Sequence, residues 1–231
     1  MLEILFESED LIAINKPHGL LVHRSFIAAD ASEFALQLLK EQIGKMVYPA
    51  HRIDRKTSGV LLFSLTKEMD SLIQQAFAQN LIKKEYLAVL RGHSPLEGSI
   101  DYPLKKDNGT LQESLTLFQT IKHTEIDLPF GKHPTSRYSL VKAKPQTGRM
   151  HQLRRHFAHI MHPIIGDRPH GCNKQNKLWK ETFEHDSMLL HAHKLAFVHP
   201  KTKEEIHIQA NIQPEFKRAL EILHINPADQ F

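Results

Sequence analysis

The segment Gly148–Asp167, GRMHQLRRHFAHIMHPIIGD, combines a helical pattern with a charged residue that the pattern should exclude. Its apolar residues recur at helical spacing and predict a helix that ends before Pro163. They are Met150, Leu153, Phe157, Ala158 and Met161. Arg154 falls within this apolar stripe. Either its guanidinium reaches solvent at the rim, or it is buried and a carboxylate from elsewhere must pair with it, because an unpaired buried charge is costly.

The loop His51–Gly59, HRIDRKTSG, offers such a carboxylate in Asp54, which is the only acid in the loop and has three cations beside it. Nearby cations favour the ionised form of a carboxylate, which suits a nucleophile or an anchor better than a general acid. The alternative is an aspartate that ties down the turn before the strand at Val60. The residues alone leave both interpretations open.

The rest of the chain alternates short strands and helices without a regular βαβ order, which favours an α+β fold with a mixed sheet. The predicted strands are Ile4–Phe6, Leu11–Ile14, Leu20–Val22, Val60–Leu65, Glu85–Leu90, Leu115–Ile121 and Tyr138–Lys144, followed by a hairpin of Leu189–Val198 with Ile206–Ile208. The predicted helices are Ala31–Ile43 with an Asp30/Glu33 capping box, one capped by Thr66 and ending near Asn80, one after Gly148, and one beginning at Pro214. The chain shows no repeat or long linker, so we expect a single domain over residues 1–231.

Composition restricts the class of protein. The 231 residues carry a net charge of +4 and one cysteine, Cys172, which cannot form an internal disulfide. The apolar runs are too short to span a membrane, and the first ten residues lack the basic region of a secretory signal. We therefore expect a soluble cytoplasmic protein without a membrane partner.

Residues 145–203 hold ten Lys/Arg against four Asp/Glu, together with nine of the 17 histidines. This basic block predicts a polyanionic partner such as RNA, or else a solvated basic face.

Two other functions compete for these residues. His156, His159 and His162 could suggest a metal site, but steps of three residues turn a helix by about 300° each, so the three rings diverge. We expect no metal. A non-catalytic RNA-binding module would explain the basic block, but it gives no reason for Asp54 among cations or for Arg154 on an apolar stripe.

Four segments resemble the RluA-type pseudouridine synthases. The loop HRIDRKTSG is similar to the signature HRLDRxTSG of that family, and GRMHQLRRHFAHIMHPIIGD to its block GRxHQLRxHxxxxGHPIxGD. LIKKEYLAVLRG, Leu81–Gly92, resembles the K-x-Y segment, and NKPHGLLVH, Asn15–His23, resembles NKPxGxxVH. The four matches occur in the order of the family and span nearly the whole chain.

The resemblance is strongest to the TruC-like tRNA branch, on TSRYSLVKAKPQTGR (Thr135–Arg149) and GDRPHGCNKQNK (Gly166–Lys177). It implies the α+β pseudouridine synthase catalytic fold, with a mixed, mainly antiparallel sheet flanked by helices. We expect no N-terminal S4 domain, a departure from several members that act on ribosomal RNA. The resemblance also implies isomerisation of uridine to pseudouridine in RNA without a cofactor, most closely the T-stem uridine at position 65 of tRNA. Ribosomal RNA is the alternative substrate. The oligomeric state stays open, and a monomer is compatible with the sequence.

Carried over residue by residue, the resemblance makes Asp54 the catalytic aspartate and Arg154 its salt-bridge partner. It makes Tyr86 the aromatic residue that stacks on the target base and takes part in proton transfer. Arg52 becomes the residue that fills the space left when the uridine flips out. We assign the remaining RNA contacts to the basic block, at Arg149, His151, Arg155, Lys174 and Lys177.

Overall fold

The computed structural model describes residues 1–23 and 33–226. The elements in chain order are β1 (Glu3–Glu7), β2 (Leu11–Lys16), α1 (Ala35–Ile43), β3 (Tyr48–Pro49), β4 (Ser58–Ser64), α2 (Lys67–Ala78), β5 (Lys83–Arg91), β6 (Glu97–Asp101), β7 (Leu104–Lys105), β8 (Leu111–Gln112), β9 (Leu115–Ile126), β10 (Ser136–Pro145), α3 (Gln152–His159), α4 (Asn173–Phe183), β11 (Leu190–Val198), β12 (Glu205–Gln209) and α5 (Pro214–Ile222). None of the helices in these ranges is long and apolar enough to cross a membrane.

The chain forms two compact units. The first contains Met1–Lys84 and Ala192–Gln213, and the second contains Glu85–His191 and Pro214–Phe231. Two of the three unit boundaries fall inside β5 and β11, and the third directly precedes α5. Both units combine helices with antiparallel strand pairs, which confirms the predicted α+β class. That residues 1–231 act as a single domain stays a prediction.

The first unit is built on antiparallel pairs of β1 with β2 and of β2 with β4. β3 also pairs with β4, and β11 pairs with β12. Helix α2 begins after Thr66, whose hydroxyl accepts a hydrogen bond from the backbone N–H of Met69 at 3.1 Å, as the sequence predicts. Met69 and Ile73 pack with Leu11 and Leu62 in the apolar cluster of this unit. Side chains point to the same face at every second residue of a strand and at about every 3.6 residues of a helix. The apolar faces that result pack against each other here.

In the second unit β5 pairs with β10, β10 with β9, and β9 with β6, all antiparallel. Helix α3 packs its Leu153 and Phe157 against Ala88 and Val141 of these strands. This apolar contact fixes the orientation of α3 and therefore the direction in which its polar residues project.

Two local predictions in the first unit need correction. Leu20–Val22 forms no strand: Leu21 makes only an isolated bridge with Phe34, and the Leu20 carbonyl oxygen accepts a hydrogen bond from the Lys16 ammonium instead. Helix α1 begins at Ala35, with Phe34 as an N-cap that makes no side-chain hydrogen bond. The predicted capping residue Asp30 and the predicted start at Ala31 lie outside the described residues.

The second unit differs from the sequence prediction in two places. Met150 and Met161 are 55% and 78% exposed, because both lie outside α3 and do not continue its apolar stripe. Helix α4 was not predicted. It buries only Gln175 and Trp179, and its N-cap Cys172 makes no side-chain hydrogen bond, so neither an apolar stripe nor a capping signal marks it.

Candidate active site

Asp54 lies in a tight turn immediately before β4. Its carbonyl oxygen accepts a hydrogen bond from the Thr57 N–H at 3.0 Å, and its side chain is half-buried. Ile53 is buried, so the chain is anchored directly before Asp54. The turn therefore presents a partly accessible carboxylate from a fixed backbone, as a nucleophile requires.

The ammonium of Lys16, at the end of β2, lies beneath this turn. Lys16 is fully buried, and its Nζ donates hydrogen bonds to the carbonyl oxygens of Pro17 at 2.9 Å, Leu20 at 2.8 Å and Arg55 at 3.1 Å. The Arg55 carbonyl also accepts from the Gly19 N–H at 2.9 Å. One lysine thus ties the turn that follows Asp54 to the turn that follows β2.

The environment of Lys16 opposes its charge. Burial lowers the pKa of Lys16 to about 7, while the negative charge of Asp54 acts in the opposite direction and favours the ammonium. Sequence reasoning did not single out Lys16. The signal available in the sequence was a lysine that follows the apolar run Leu11–Ile14 within two residues and comes directly before Pro17.

His51 connects the other end of the loop to β4. Its Nε2 accepts a hydrogen bond from the Leu62 N–H at 3.1 Å, and its ring packs 4.9 Å from that of Phe77. Burial, and to a smaller extent the charge of Lys84, lower the pKa of His51 to about 3. The ring is therefore neutral at physiological pH, the state in which Nε2 can accept.

In the second unit, Tyr86 lies on β5 opposite Ala143 of β10. It is half-buried and packs against the apolar cluster that contains Ala88 and Phe157. The strand pairing and this cluster hold the ring in place and leave part of it accessible. Such a position suits a ring that stacks on a base.

Arg154 is buried, with 7% of its surface exposed. Its Nε donates to Oδ2 of Asp167 and its Nη2 to Oδ1 of Asp167, each at 2.8 Å, and the Asp167 side chain is 1% exposed. The buried interpretation of Arg154 is therefore correct. The carboxylate that forms this bidentate pair comes from thirteen residues further along the chain. A pairing of Arg154 with Asp54, which belongs to the other unit, stays a prediction.

The start of α3 is fixed by Gln152. Its Oε1 accepts from the Thr147 hydroxyl at 2.7 Å and from the Arg149 N–H at 3.0 Å, and its Nε2 donates to the Leu115 carbonyl at 3.0 Å. His151 is the N-cap, with a positive φ of 53°. Its Nδ1 lies 3.0 Å from Nε2 of His170. Arg154 therefore projects from a helix whose first turn is rigid.

The predicted RNA-binding residues fall into two groups. Arg52, Lys174 and Lys177 are exposed, and Lys177 lies 3.6 Å from the exposed carboxylate of Glu181. The half-buried side chains of Arg149 and Arg155 donate to the carbonyl oxygens of Glu113 and Lys105, so both also support local structure. His151 is likewise half-buried, between α3 and His170.

The histidines of α3 serve other contacts. His156 is fully buried, and its ring nitrogens bond to the hydroxyls of Thr116 and Ser114 at 3.0 and 3.1 Å. Burial lowers the pKa of His156. His159 stacks on Tyr102, with ring centroids 3.7 Å apart. Within residues 1–23 and 33–226 no group of three or more His, Cys, Asp or Glu side chains is placed to hold a metal ion.

A comparison with protein families connects these residues. The family model described as RNA pseudouridylate synthase matches residues 10–159, which include the Asp54 turn, Tyr86 and Arg154. The chain belongs to this family. Membership makes it an RNA pseudouridine synthase and agrees with the resemblance seen in its motifs.

Individual members of the family match almost from end to end. The chain is 43% identical to tRNA pseudouridine synthase C of Vibrio vulnificus (strain CMCP6), over 96% of this chain and 95% of the relative. It is 42% identical to tRNA pseudouridine synthase C of Haemophilus influenzae (strain ATCC 51907 / DSM 11121 / KW20 / Rd), over 95% and 97% respectively.

Solved structures share the fold. The human RNA Pseudouridylate Synthase Domain Containing 1 superposes with a TM-score of 0.73 at 22% identity, covering 98% of this chain and 96% of that one. The human RNA Pseudouridylate Synthase Domain Containing 4 gives 0.72 at 23% identity, covering 97% and 94%. At this identity the likeness supports the pseudouridine synthase fold alone.

Proposed function

We propose that this pseudouridine synthase isomerises a uridine of tRNA, the T-stem uridine at position 65, in the cytoplasm. The observation that carries the choice of tRNA is the similarity to relatives named tRNA pseudouridine synthase C, which extends over nearly the full length of both chains. The position in the T-stem rests on the TruC-like motifs Thr135–Arg149 and Gly166–Lys177.

The reaction needs no oxidant, reductant or co-substrate. The bond between C1′ of the ribose and N1 of uracil breaks, the base turns, and a bond forms between C1′ and C5. The proton on C5 is released and N1 gains a proton, so the product is an isomer of the substrate. Asp54 is the nucleophile in this proposal, and its position on a fixed, partly accessible turn supports that role.

Two further residues act on the extruded base. A uridine in a stem is inaccessible to chemistry until it leaves the stack, and a flipped base is held by stacking on aromatic side chains. Tyr86 provides this ring, and its hydroxyl moves a proton during the isomerisation. Arg52, which is exposed beside Asp54, occupies the space that the base leaves. Arg154 pairs with Asp54 in the proposal and orients the nucleophile.

The test is tritium release from tRNA transcribed with uridine labelled at C5, because every isomerisation frees that hydrogen. We expect release from the parent enzyme and none from Asp54→Asn, since a neutral amide cannot act as the anionic nucleophile. Asp54→Asn should still bind tRNA. A rate for this variant within about tenfold of the parent would contradict the assignment.

Controls separate the substrates and the competing functions. A transcript with cytidine at position 65 should release no tritium above background, whereas release would place the target elsewhere in tRNA. Release from ribosomal RNA but not from tRNA would favour the alternative substrate. A non-catalytic RNA-binding module would bind tRNA and release no tritium with any variant.

A further inference from the structure

The second unit contains a pocket beside helix α4. Residues of α4 together with Ile165, Gly166, Arg168, His185 and Asp186 line this pocket, whose volume is about 410 Å³. This volume is within the range of small-molecule sites, about 300–1,000 Å³, and is far more than a single inorganic phosphate would fill. Gly166 lines it with φ of +80°, and a Cβ there would come within 2.0 Å of the Ser187 carbonyl oxygen, so the wall requires glycine.

The rim of the pocket is positively charged. Arg168, Lys177 and Lys180 line it, and Asp186 is the one acid among its lining residues. All three cations are exposed, so their charges reach solvent at the mouth. Lys177 and Lys180 are one helical turn apart on α4, so they flank the same side of the opening. This arrangement attracts a phosphate group.

The interior holds a polar atom that lacks a partner. His185 is 4% exposed, and its Nε2 makes no hydrogen bond within the part of the chain that the structure describes. Burial and the charge of Arg218 lower the pKa of His185, while a hydrogen bond to the backbone of Ser187 raises it. Because that bond favours the protonated ring, the imidazole donates it, and the neutral ring then presents Nε2 as an acceptor.

These features define the ligand by its chemistry. It needs a phosphate for the cationic rim and, some ångströms away, an N–H or O–H donor for Nε2 of His185. A nucleotide has both, since its ribose and its base carry such donors. The pocket offers little surface for base stacking, because Trp179 is 1% exposed and its Nε1 donates to the Tyr138 hydroxyl at 2.9 Å.

The pocket shares a wall with the Arg154 pair. Asn176 lines the pocket; its Nδ2 donates to the Asp167 carbonyl at 2.7 Å and its Oδ1 accepts from the Gly166 N–H at 2.9 Å. Asp167 in turn holds Arg154. A nucleotide in this pocket therefore touches the segment that supports a predicted catalytic residue, which favours RNA over an unrelated free metabolite as its source.

We propose that the α4 pocket, lined by Arg168, Lys180 and His185, binds one nucleotide of the RNA substrate other than the target uridine. The phosphate of that nucleotide lies on the cationic rim, and one of its N–H or O–H groups donates to His185. This assignment rests on the proposed RNA activity and adds a second point at which the enzyme holds its substrate.

Trp179 is the only tryptophan of the chain and lies in the pocket wall, so we expect its fluorescence to change when the pocket is occupied. The probe is adenosine 5′-monophosphate titrated into the full-length protein, with adenosine and inorganic phosphate as comparisons. We expect saturable change with the monophosphate, and binding weaker by about tenfold or more for adenosine and for phosphate. Saturating tRNA should prevent the response. Equal binding of adenosine and its monophosphate would overturn the role of the cationic rim.

The variant Arg168→Gln/Lys180→Gln should raise the Kd for the monophosphate by about tenfold or more and also weaken tRNA binding. Lys40→Gln, on an exposed position of α1 outside the pocket, is the matched control and should change either Kd by less than about twofold. His185→Phe should raise the Kd for the monophosphate by a similar factor. Because this core change can disturb folding, its effect on binding is interpreted only if its thermal unfolding matches that of the parent. If it does not, the surface variant Arg168→Gln/Lys180→Gln alone tests the proposal.

The outcomes separate this subsite from the proposed function. Tritium release from tRNA together with no response of Trp179 to the monophosphate or to tRNA would overturn the subsite and leave the tRNA activity standing. A response to the monophosphate that tRNA does not compete would overturn the assignment to RNA and indicate a free nucleotide as ligand. Nucleotide binding without tritium release from any RNA would refute the proposed function and the subsite as a substrate site together.

Discussion

Lys16 shows how one side chain can organise a loop at an energetic cost. Its ammonium satisfies three backbone carbonyls, yet full burial lowers its pKa to about 7 against an ordinary 10.5. The charge of Asp54 offsets part of this cost. A buried cation beside a candidate catalytic carboxylate couples the charge state of the site to the stability of the fold.

The first prediction follows from that pKa. Between pH 7 and 10.5 the unfolded chain holds more protons at Lys16 than the folded chain, so this residue makes the free energy of unfolding rise with pH in that window, by up to about 1.4 kcal/mol per pH unit. Below pH 7 the full cost of the buried charge is present. Urea unfolding at pH 7, 8 and 9 should show this rise in the parent relative to Lys16→Met. Parallel profiles for parent and variant would contradict it, and Lys40→Met serves as the exposed control.

The second prediction concerns the hydroxyl of Tyr86. Tyr86→Phe keeps the ring on β5 and its packing against the apolar cluster, so tRNA binding should persist. If the hydroxyl moves a proton, single-turnover rates should fall by about a hundredfold or more. A rate close to that of the parent would limit Tyr86 to stacking.

At the scale of elements, helix α3 and the segment after it are held together by side-chain contacts. Gln152 fixes the first turn of the helix, Leu153 and Phe157 bury its apolar side, and Arg154 binds Asp167 across the intervening loop. The sequence marks the helix by its apolar spacing. Which acid pairs with Arg154 depends on the path of the chain after Pro163, which brings Asp167 next to the guanidinium.

The third prediction tests this pair. Arg154→Met leaves the carboxylate of Asp167 buried without its cation and should lower the free energy of unfolding by about 3–5 kcal/mol. Arg154→Met/Asp167→Asn removes both charges and should recover much of that stability. Turnover should remain low in both variants if Arg154 also orients Asp54. Recovery of turnover along with stability would show that the arginine acts on structure alone, and a change confined to tRNA affinity would place it among the docking residues.

At the scale of the whole molecule, the basic block of residues 145–203 should dominate RNA affinity. Lys174 and Lys177 are exposed on α4, whereas Arg149 and Arg155 also bond to backbone carbonyls. Neutralising the two lysines therefore changes phosphate contacts with little effect on structure. Neutralising Arg149 and Arg155 would change both the phosphate contacts and the local structure.

The fourth prediction follows from counterion release. Lys174→Gln/Lys177→Gln should raise the Kd for tRNA and reduce the slope of log K against log salt by about 1.4–1.8, two contacts at about 0.7–0.9 each. Single-turnover rates at saturating tRNA should stay near those of the parent. The measurement is a salt titration of tRNA binding, with Lys40→Gln as control. An unchanged slope, or a loss confined to the maximal rate, would refute the docking role.

Local patterns account for the parts of the fold that depend on neighbours in the chain. The sequence predicts the hairpin of β11 with β12. The Thr66 cap and the spacing of Met69 and Ile73 predict α2, because capping and amphipathic periodicity act over a few residues. The cationic surroundings of Asp54 identified a candidate carboxylate for the same reason. The motif resemblance supplied the catalytic roles that spacing left open.

Tertiary structure decided the features that depend on distant contacts. Helix α4 lacks an apolar stripe and forms around two buried residues, Gln175 and Trp179, which both bond to the Tyr138 hydroxyl. Lys16 became buried because three carbonyls of two turns converge on it, and Asp167 pairs with Arg154 through the path of the chain. The sequence by itself identified Arg154 as a side chain that needs a partner if it is buried, because an unpaired buried charge is costly. Only the folded chain decided which group would meet it, because hydrogen bonds and ion pairs form between atoms that are near in space, whatever their separation along the chain.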